Sequence, residues 1–184
     1  MAGASDLFNA IKAYIPAGWD WDTGSANTWI NAFCTGFVSM WTAGTTGVGV
    51  PVYSVTPWSH GHLLAALDPA PLVAELATLG FGPAAPFFLG LSSAISAYLL
   101  ANSTINLDAD GTITHSHILL TGKAFIAFGT PTALKAAMLA SVSVTGSGVD
   151  PIFEAFSKGI IDFLTANAGL STGIGPTHFH VLTA

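Results

Sequence analysis

Ser59-His60-Gly61-His62-Leu63-Leu64, Thr114-His115-Ser116-His117-Ile118-Leu119 and Thr177-His178-Phe179-His180-Val181-Leu182 are one short pattern written three times. The pattern is a small hydroxyl residue, His, any residue, His, then two aliphatics. The chain has 6 histidines, and all of them sit in these pairs. In an extended strand, residues i and i+2 share a face. Each motif therefore offers two imidazoles side by side, while Gly61, Ser116 or Phe179 faces the other way and is free to vary. The aliphatic and threonine neighbours suit a β-strand. Three such strands about a threefold axis would bring six imidazole nitrogens to one point. That octahedral set suits a borderline metal ion: iron first, with nickel, cobalt and zinc as alternatives. The expected metal ligands are His60, His62, His115, His117, His178 and His180.

Upstream of each pair lies a stretch with helical periodicity: 28–41, 86–99 and 151–164. With Trp29 set against Phe87 and Ile152, apolar residues coincide at i, i+1, i+4, i+8, i+11 and i+12, one face of an α-helix. At i+7 the residues are Gly36, Ala94 and Gly159. Glycine within a helix costs about 1 kcal/mol against alanine, so its use there predicts a close helix–helix approach. A shorter helix precedes each long one. Asp6 to Ile15 opens behind Ser5 or Asp6 as N-cap and stops at Pro16. Pro71 to Leu79 ends at Gly80, and Pro131 to Ala140 follows Thr130, a suitable N-cap for proline in the first turn.

The fold class these patterns predict is α+β and helix-rich. It consists of three internal repeats of about 60 residues, each a short helix, a longer helix, a linking loop and a His-x-His strand, in a pseudo-threefold arrangement. The repeats span residues 1–64, 65–120 and 121–184, packed as one domain. Thr45-Thr46-Gly47-Val48-Gly49 and Ser171-Thr172-Gly173-Ile174-Gly175 read as matching loops. In the second repeat the link reads as a hairpin, with Ile105-Asn106-Leu107 and Thr112-Ile113-Thr114 joined across Asp108-Ala109-Asp110-Gly111.

Composition narrows the function. Charged residues make up 8%, against roughly 25% in an average soluble domain. Mean hydropathy is +0.62. Arginine is absent and the lysines are Lys12, Lys123, Lys135 and Lys158, so at net charge −6 there is no basic cluster for phosphate contacts. Nucleic acid is not an expected partner. Residues 23–67 and 76–107 carry no charged side chain, yet glycine and proline interrupt both, and neither offers about 20 continuous apolar residues. A membrane location is disfavoured, and the start of the chain lacks a signal-peptide pattern. A surface covered largely by other subunits accounts better for so few charges. Cys34, the sole cysteine, reads as a small core residue.

A fully occupied six-imidazole sphere leaves no position for water or substrate, so the metal is expected to be structural and the chain non-enzymatic. No catalytic residues are assigned. There is no G-x-S-x-G, and the Gly-x-Gly segments lack the setting of a phosphate loop. Trp19-Asp20-Trp21-Asp22 reads as a packed loop or a contact surface with Trp anchors. Other possibilities are a metal-dependent enzyme with an open site built from fewer histidines, and a small membrane-associated protein.

The three pairs His60/His62, His115/His117 and His178/His180 resemble the metal motif of trimeric phage tail spikes and long tail fibres. There, His-x-His strands meet around a threefold axis to bind an iron-like ion octahedrally. The low charge and the Gly, Ala, Thr and Ser content also look like phage virion structural proteins. The resemblance implies a virion component, from tail, baseplate or neck, with other virion subunits as partners through apolar surfaces. Two assemblies satisfy the motif: one chain closing one cage, or three chains forming three stacked rings.

Overall fold

The computed structural model describes residues 2–52, 59–80, 85–105, 108–109, 125–142, 149–170 and 182–184. The described residues are helix-rich, with α1 (Ala4–Lys12), α2 (Gly24–Ala43), α3 (Ala70–Ala77), α4 (Ala85–Asn102), α5 (Pro131–Val142) and α6 (Val149–Asn167). Between and after them run β1 (Thr45–Val52), β2 (Ser59–Ala66), β3 (Ser103–Ile105), β4 (Asp108–Ala109), β5 (Phe125–Phe128), β6 (Gly169–Leu170) and β7 (Leu182–Thr183). The architecture is α+β. The alternation of short and long helices follows the sequence periodicity, and each long helix extends past its apolar stripe at both ends.

Local chemistry sets the helix ends. The first helix begins earlier than its hydroxyl and carboxylate residues suggest, with Gly3 as N-cap in place of Ser5 or Asp6. Asp6 acts from the third helical position instead: its carboxylate accepts the Gly3 amide at 2.8 Å, which satisfies a donor the helix leaves free. Thr130 caps α5 as expected, its hydroxyl accepting the Ala133 amide at 3.3 Å. Gly80 ends the turn after α3 at φ +72°, a conformation that favours glycine.

The helices pack in a closed cycle: α1 on α2, α2 on α3, α3 on α4, α4 on α5, α5 on α6, and α6 back on α1. The most extensive of these contacts join a long helix to the short helix that follows it around the cycle: α2 to α3, α4 to α5, and α6 to α1. Each short helix inserts an i, i+4 pair that is fully buried: Leu7 and Ile11, Leu72 and Leu76, Leu134 and Met138. A fully buried aliphatic of this size stabilises by about 1.5–3 kcal/mol.

The apolar levels of the long helices fill the centre. Ile30, Phe88 and Phe153, then Phe33, Leu91 and Phe156, then Phe37, Ile95 and Ile160, are buried at successive levels. Met40, Tyr98 and Phe163, and below them Trp41, Leu99 and Leu164, complete the stack. Aromatic edges and faces interlock across it, with Phe33 against Phe156 at 4.6 Å and Trp41 against Phe128 at 5.8 Å between ring centroids.

The close approach foreseen at Gly36 and Gly159 is present, but each faces a short helix. A Cβ on Gly36 would lie 2.9 Å from Leu72 Cα, and one on Gly159 would lie 2.5 Å from Ile11 Cα. Gly36 and Gly159 thus each let a short helix settle against a long one, whereas in α4 the close approach to α5 is at Gly90, where an added Cβ would lie 2.9 Å from the Ser141 carbonyl oxygen.

The strands depart from two expectations. Thr45 to Gly49, expected as a loop, belongs to β1, antiparallel to β2 from Thr45 opposite Ala66 to Val52 opposite Ser59. Its glycines suggested a turn, but β-branched Thr45, Thr46, Val48, Val50 and Val52 supply strand character and the β2 ladder supplies the partners. The register shifts between Val48 and Pro51, the irregularity that a proline within a paired strand leads one to expect. The second departure concerns the hairpin. Ile105 pairs with Phe125, and Asp108–Ala109, expected as the turn, forms β4 against β2. Residues 112–114 and the loop at 171–175 lie outside the described residues.

Candidate metal centre

Of the six expected ligands, His60 and His62 lie in β2, and His115, His117, His178 and His180 lie outside the described residues. His62 stands opposite Val48 and His60 opposite Pro51 in the ladder with β1. On the other side of β2, His60 is opposite Asp108 and Ser59 opposite Ala109. The first His pair is therefore on the central strand of the β1-β2-β4 sheet, where its backbone register is fixed from both sides at Ser59 and His60. An i, i+2 pair on such a strand has the spacing the metal motif requires. Among the described residues, no group of three or more His, Cys, Asp or Glu is placed to hold a metal ion.

The three long helices each lead into a strand that pairs antiparallel with a later one, and the innermost partners are Thr45 with Ala66, Ser103 with Phe128, and Gly169 with Thr183. Counted along the sequence, His60 is six residues before Ala66 and His178 five before Thr183, whereas His115 is thirteen before Phe128. The second pair is thus offset from the other two in chain distance.

Several other polar groups among the described residues form ion pairs on the helical side. Lys135 lies 2.7 Å from Asp150 and 3.4 Å from Glu154, and Lys158 lies 2.6 Å from Glu154. Lys158, then Lys135, hold the Glu154 carboxyl below its usual range, while Asp150 and Glu154 raise Lys135. Tyr14 donates to Asp162, whose carboxylate pushes the phenol upward, and Lys158 sits 5.4 Å over the Tyr14 ring. These contacts join α5 to α6, and α6 to Tyr14 just beyond α1. Cys34 is buried, and desolvation pushes its thiol up to about 12, so it is an inert core residue.

No helix among the described residues is long and apolar enough to cross a membrane. Comparison of the chain with protein families, curated proteins and solved structures found no match. What sequence reasoning missed lies elsewhere, at the opposite ends of the long helices from their strands. There the aligned residues Trp29, Phe87 and Ile152 line one apolar cavity. The shared i position was visible in the sequence, but convergence of that level on an open space was not.

Proposed function

We propose that this chain is a non-enzymatic assembly protein, a component of a phage particle, built from three repeats around a pseudo-threefold axis and stapled by a metal ion held by its His pairs. The observation that carries the proposal is the cyclic packing combined with the confinement of every histidine to a repeated motif. Two further contacts support the repeats. Each long helix packs on the next short helix, and each returning strand packs on the next long helix: β2 on α4, β5 on α6, and β7 on α2. At the last of these, the Leu182 amide donates to the Gly44 carbonyl at 3.3 Å. On this basis the units close at Ala66, Phe128 and Thr183.

The cyclic packing favours one chain closing one cage over three chains stacking three rings. A saturated nitrogen sphere gives the ion a structural role, and the other ring N–H of each imidazole would donate to a backbone carbonyl, hydroxyl or water beside the motifs. Low charge and an apolar composition fit a subunit whose surface is covered in a larger assembly. The virion setting rests on the likeness of the His motif and of the composition.

The offset of His115 in chain distance favours a second proposal: His60, His62, His178 and His180 bind the ion, and the second pair does not. Four imidazoles on an ion that accepts six ligands leave two positions for water or substrate, as an enzyme would need.

Elemental mass spectrometry together with native mass separates these outcomes, using the wild type and the paired alanine variants at 60/62, 115/117 and 178/180. One ion per monomer, lost in every variant, is the expected result for the cage. One ion per chain in a trimer, falling to two-thirds in each variant, means stacked rings. Retention of metal in His115→Ala/His117→Ala alone supports the open four-histidine site. Absence of metal from the wild type, grown and purified with iron, nickel, cobalt and zinc supplied in turn, refutes every version.

A further inference from the structure

The first turns of α2, α4 and α6 surround a cavity of about 410 Å³. Its walls are Trp21, Trp29, Phe87, Val149, Ile152 and Phe153, with Ser25 as its polar edge. Among the described residues, no charged side chain lines it. We propose that this cavity binds a small, uncharged, hydrocarbon-rich molecule of one to three rings or an equivalent aliphatic chain. No histidine is among its described lining residues.

The occupant's chemistry follows from the walls. An ion entering would give up its hydration to carbon surface and find no countercharge. An uncharged apolar molecule gives up little and gains dispersion contacts on several sides. The volume lies within the range of small-molecule sites, roughly 300–1,000 Å³, and exceeds the roughly 150 Å³ cavity that admits benzene.

The walls are also preorganised. Trp19 and Trp21 stack with ring planes 4° apart and centroids at 6.1 Å, and Trp21 leans on buried Phe156 at 6.5 Å. Asp20 locks the loop that carries them, accepting the Thr23 hydroxyl at 2.7 Å and the Asp22 amide at 3.1 Å. Lys12 ties Asp22 to the first helix at 2.7 Å. Trp29 is held by Phe33 at 5.9 Å and by the same Phe156 at 5.2 Å. A site held open by contacts outside it loses little freedom when it is filled.

The test uses the full chain and the uncharged probe N-phenyl-1-naphthylamine, whose emission rises in apolar surroundings. Saturable binding of one probe per chain is expected. Val149→Trp, which fills the cavity from its rim, should weaken binding at least tenfold with circular dichroism unchanged. If that variant misfolds, Ser25→Trp, on the exposed first turn of α2, fills the mouth and should give the same loss. Leu89→Ala, at an exposed α4 position away from the lining, should bind as the wild type does. Non-saturable partitioning, or equal affinity in a folded filled variant, overturns the proposal. So does self-association that rises with protein concentration and excludes the probe, since the cavity is then a contact between copies.

Discussion

Replacing Gly159 with alanine puts the helix cycle under a specific strain at the point where the last helix meets the first. An added Cβ would lie 2.5 Å from Ile11 Cα, 2.5 Å from Ile11 Cγ1 and 2.6 Å from the Ile11 amide nitrogen. Carbon pairs settle near about 3.5–4.0 Å, so α1 must retreat by about 1 Å or more. Two of the three atoms are backbone, and no rotamer change relieves them. Alanine itself improves helix propensity by about 1 kcal/mol, which sets the competing effect. Overpacking of this kind costs about 1–3 kcal/mol when the structure adjusts. If α1 detaches, burial of Leu7 and Ile11 is lost, about 1.5–3 kcal/mol each. Because backbone atoms of Ile11 block adjustment, detachment of α1 is the expected outcome, and less the propensity gain it destabilises by about 2–5 kcal/mol. Urea unfolding followed by tryptophan emission, with chelator present so that metal binding does not contribute, measures it. Hydrogen exchange should show protection lost first over residues 4–12. Ile11→Ala in the same background should not rescue, because the backbone contacts remain. Gly36→Ala, whose nearest atom is Leu72 Cα at 2.9 Å, should cost less. A Gly159→Ala protein as stable as the wild type would refute the packing described for α1 against α6.

The buried Cys34 thiol, pushed up to about 12 by desolvation, stays neutral in the fold while the unfolded chain ionises near its ordinary value. Its contribution is fully present below about pH 9 and declines by up to about 1.4 kcal/mol per pH unit between about pH 9 and 12. Cys34→Ala should flatten that part of the stability curve, and the native thiol should react with a disulfide reagent at pH 8 only as fast as the core opens. Tyr98 joins α4 to the segment before α5, accepting the Thr130 amide at 2.7 Å and donating to the Thr130 carbonyl at 2.9 Å. Tyr98→Phe should lower stability by about 1–2 kcal/mol, read by denaturant midpoint, and should raise exchange at the Thr130 amide.

Much of the helical layer was legible from the chain because its determinants are local. Apolar residues at 3.6-residue spacing need one buried face wherever they fold, and the aligned levels from Ile30, Phe88 and Phe153 down to Trp41, Leu99 and Leu164 are all buried. Thr130 as a cap and Gly80 as a stop are likewise choices made within a few residues. The glycines at 36 and 159 announced a close approach, but not the partner. Leu72 and Ile11 come from helices far apart in sequence, and only the closed cycle places them there.

Strand pairing was not legible in the same way, for a physical reason. A ladder is formed between segments, so a glycine-containing run such as Thr45 to Gly49 is a loop or a strand according to what lies beside it. The partner of Ile105 is Phe125, and Asp108 reaches across to His60, neither of which neighbouring residues specify. The cavity under Trp29, Phe87 and Ile152 belongs to the same class, since empty space is a property of how three helices converge. By itself the sequence determined which residues must be buried, where the long helices run and that all histidines come in strand-spaced pairs. The tertiary structure alone decided which helices touch, how the strands register and where the bundle is left open, because those depend on surfaces meeting across the chain.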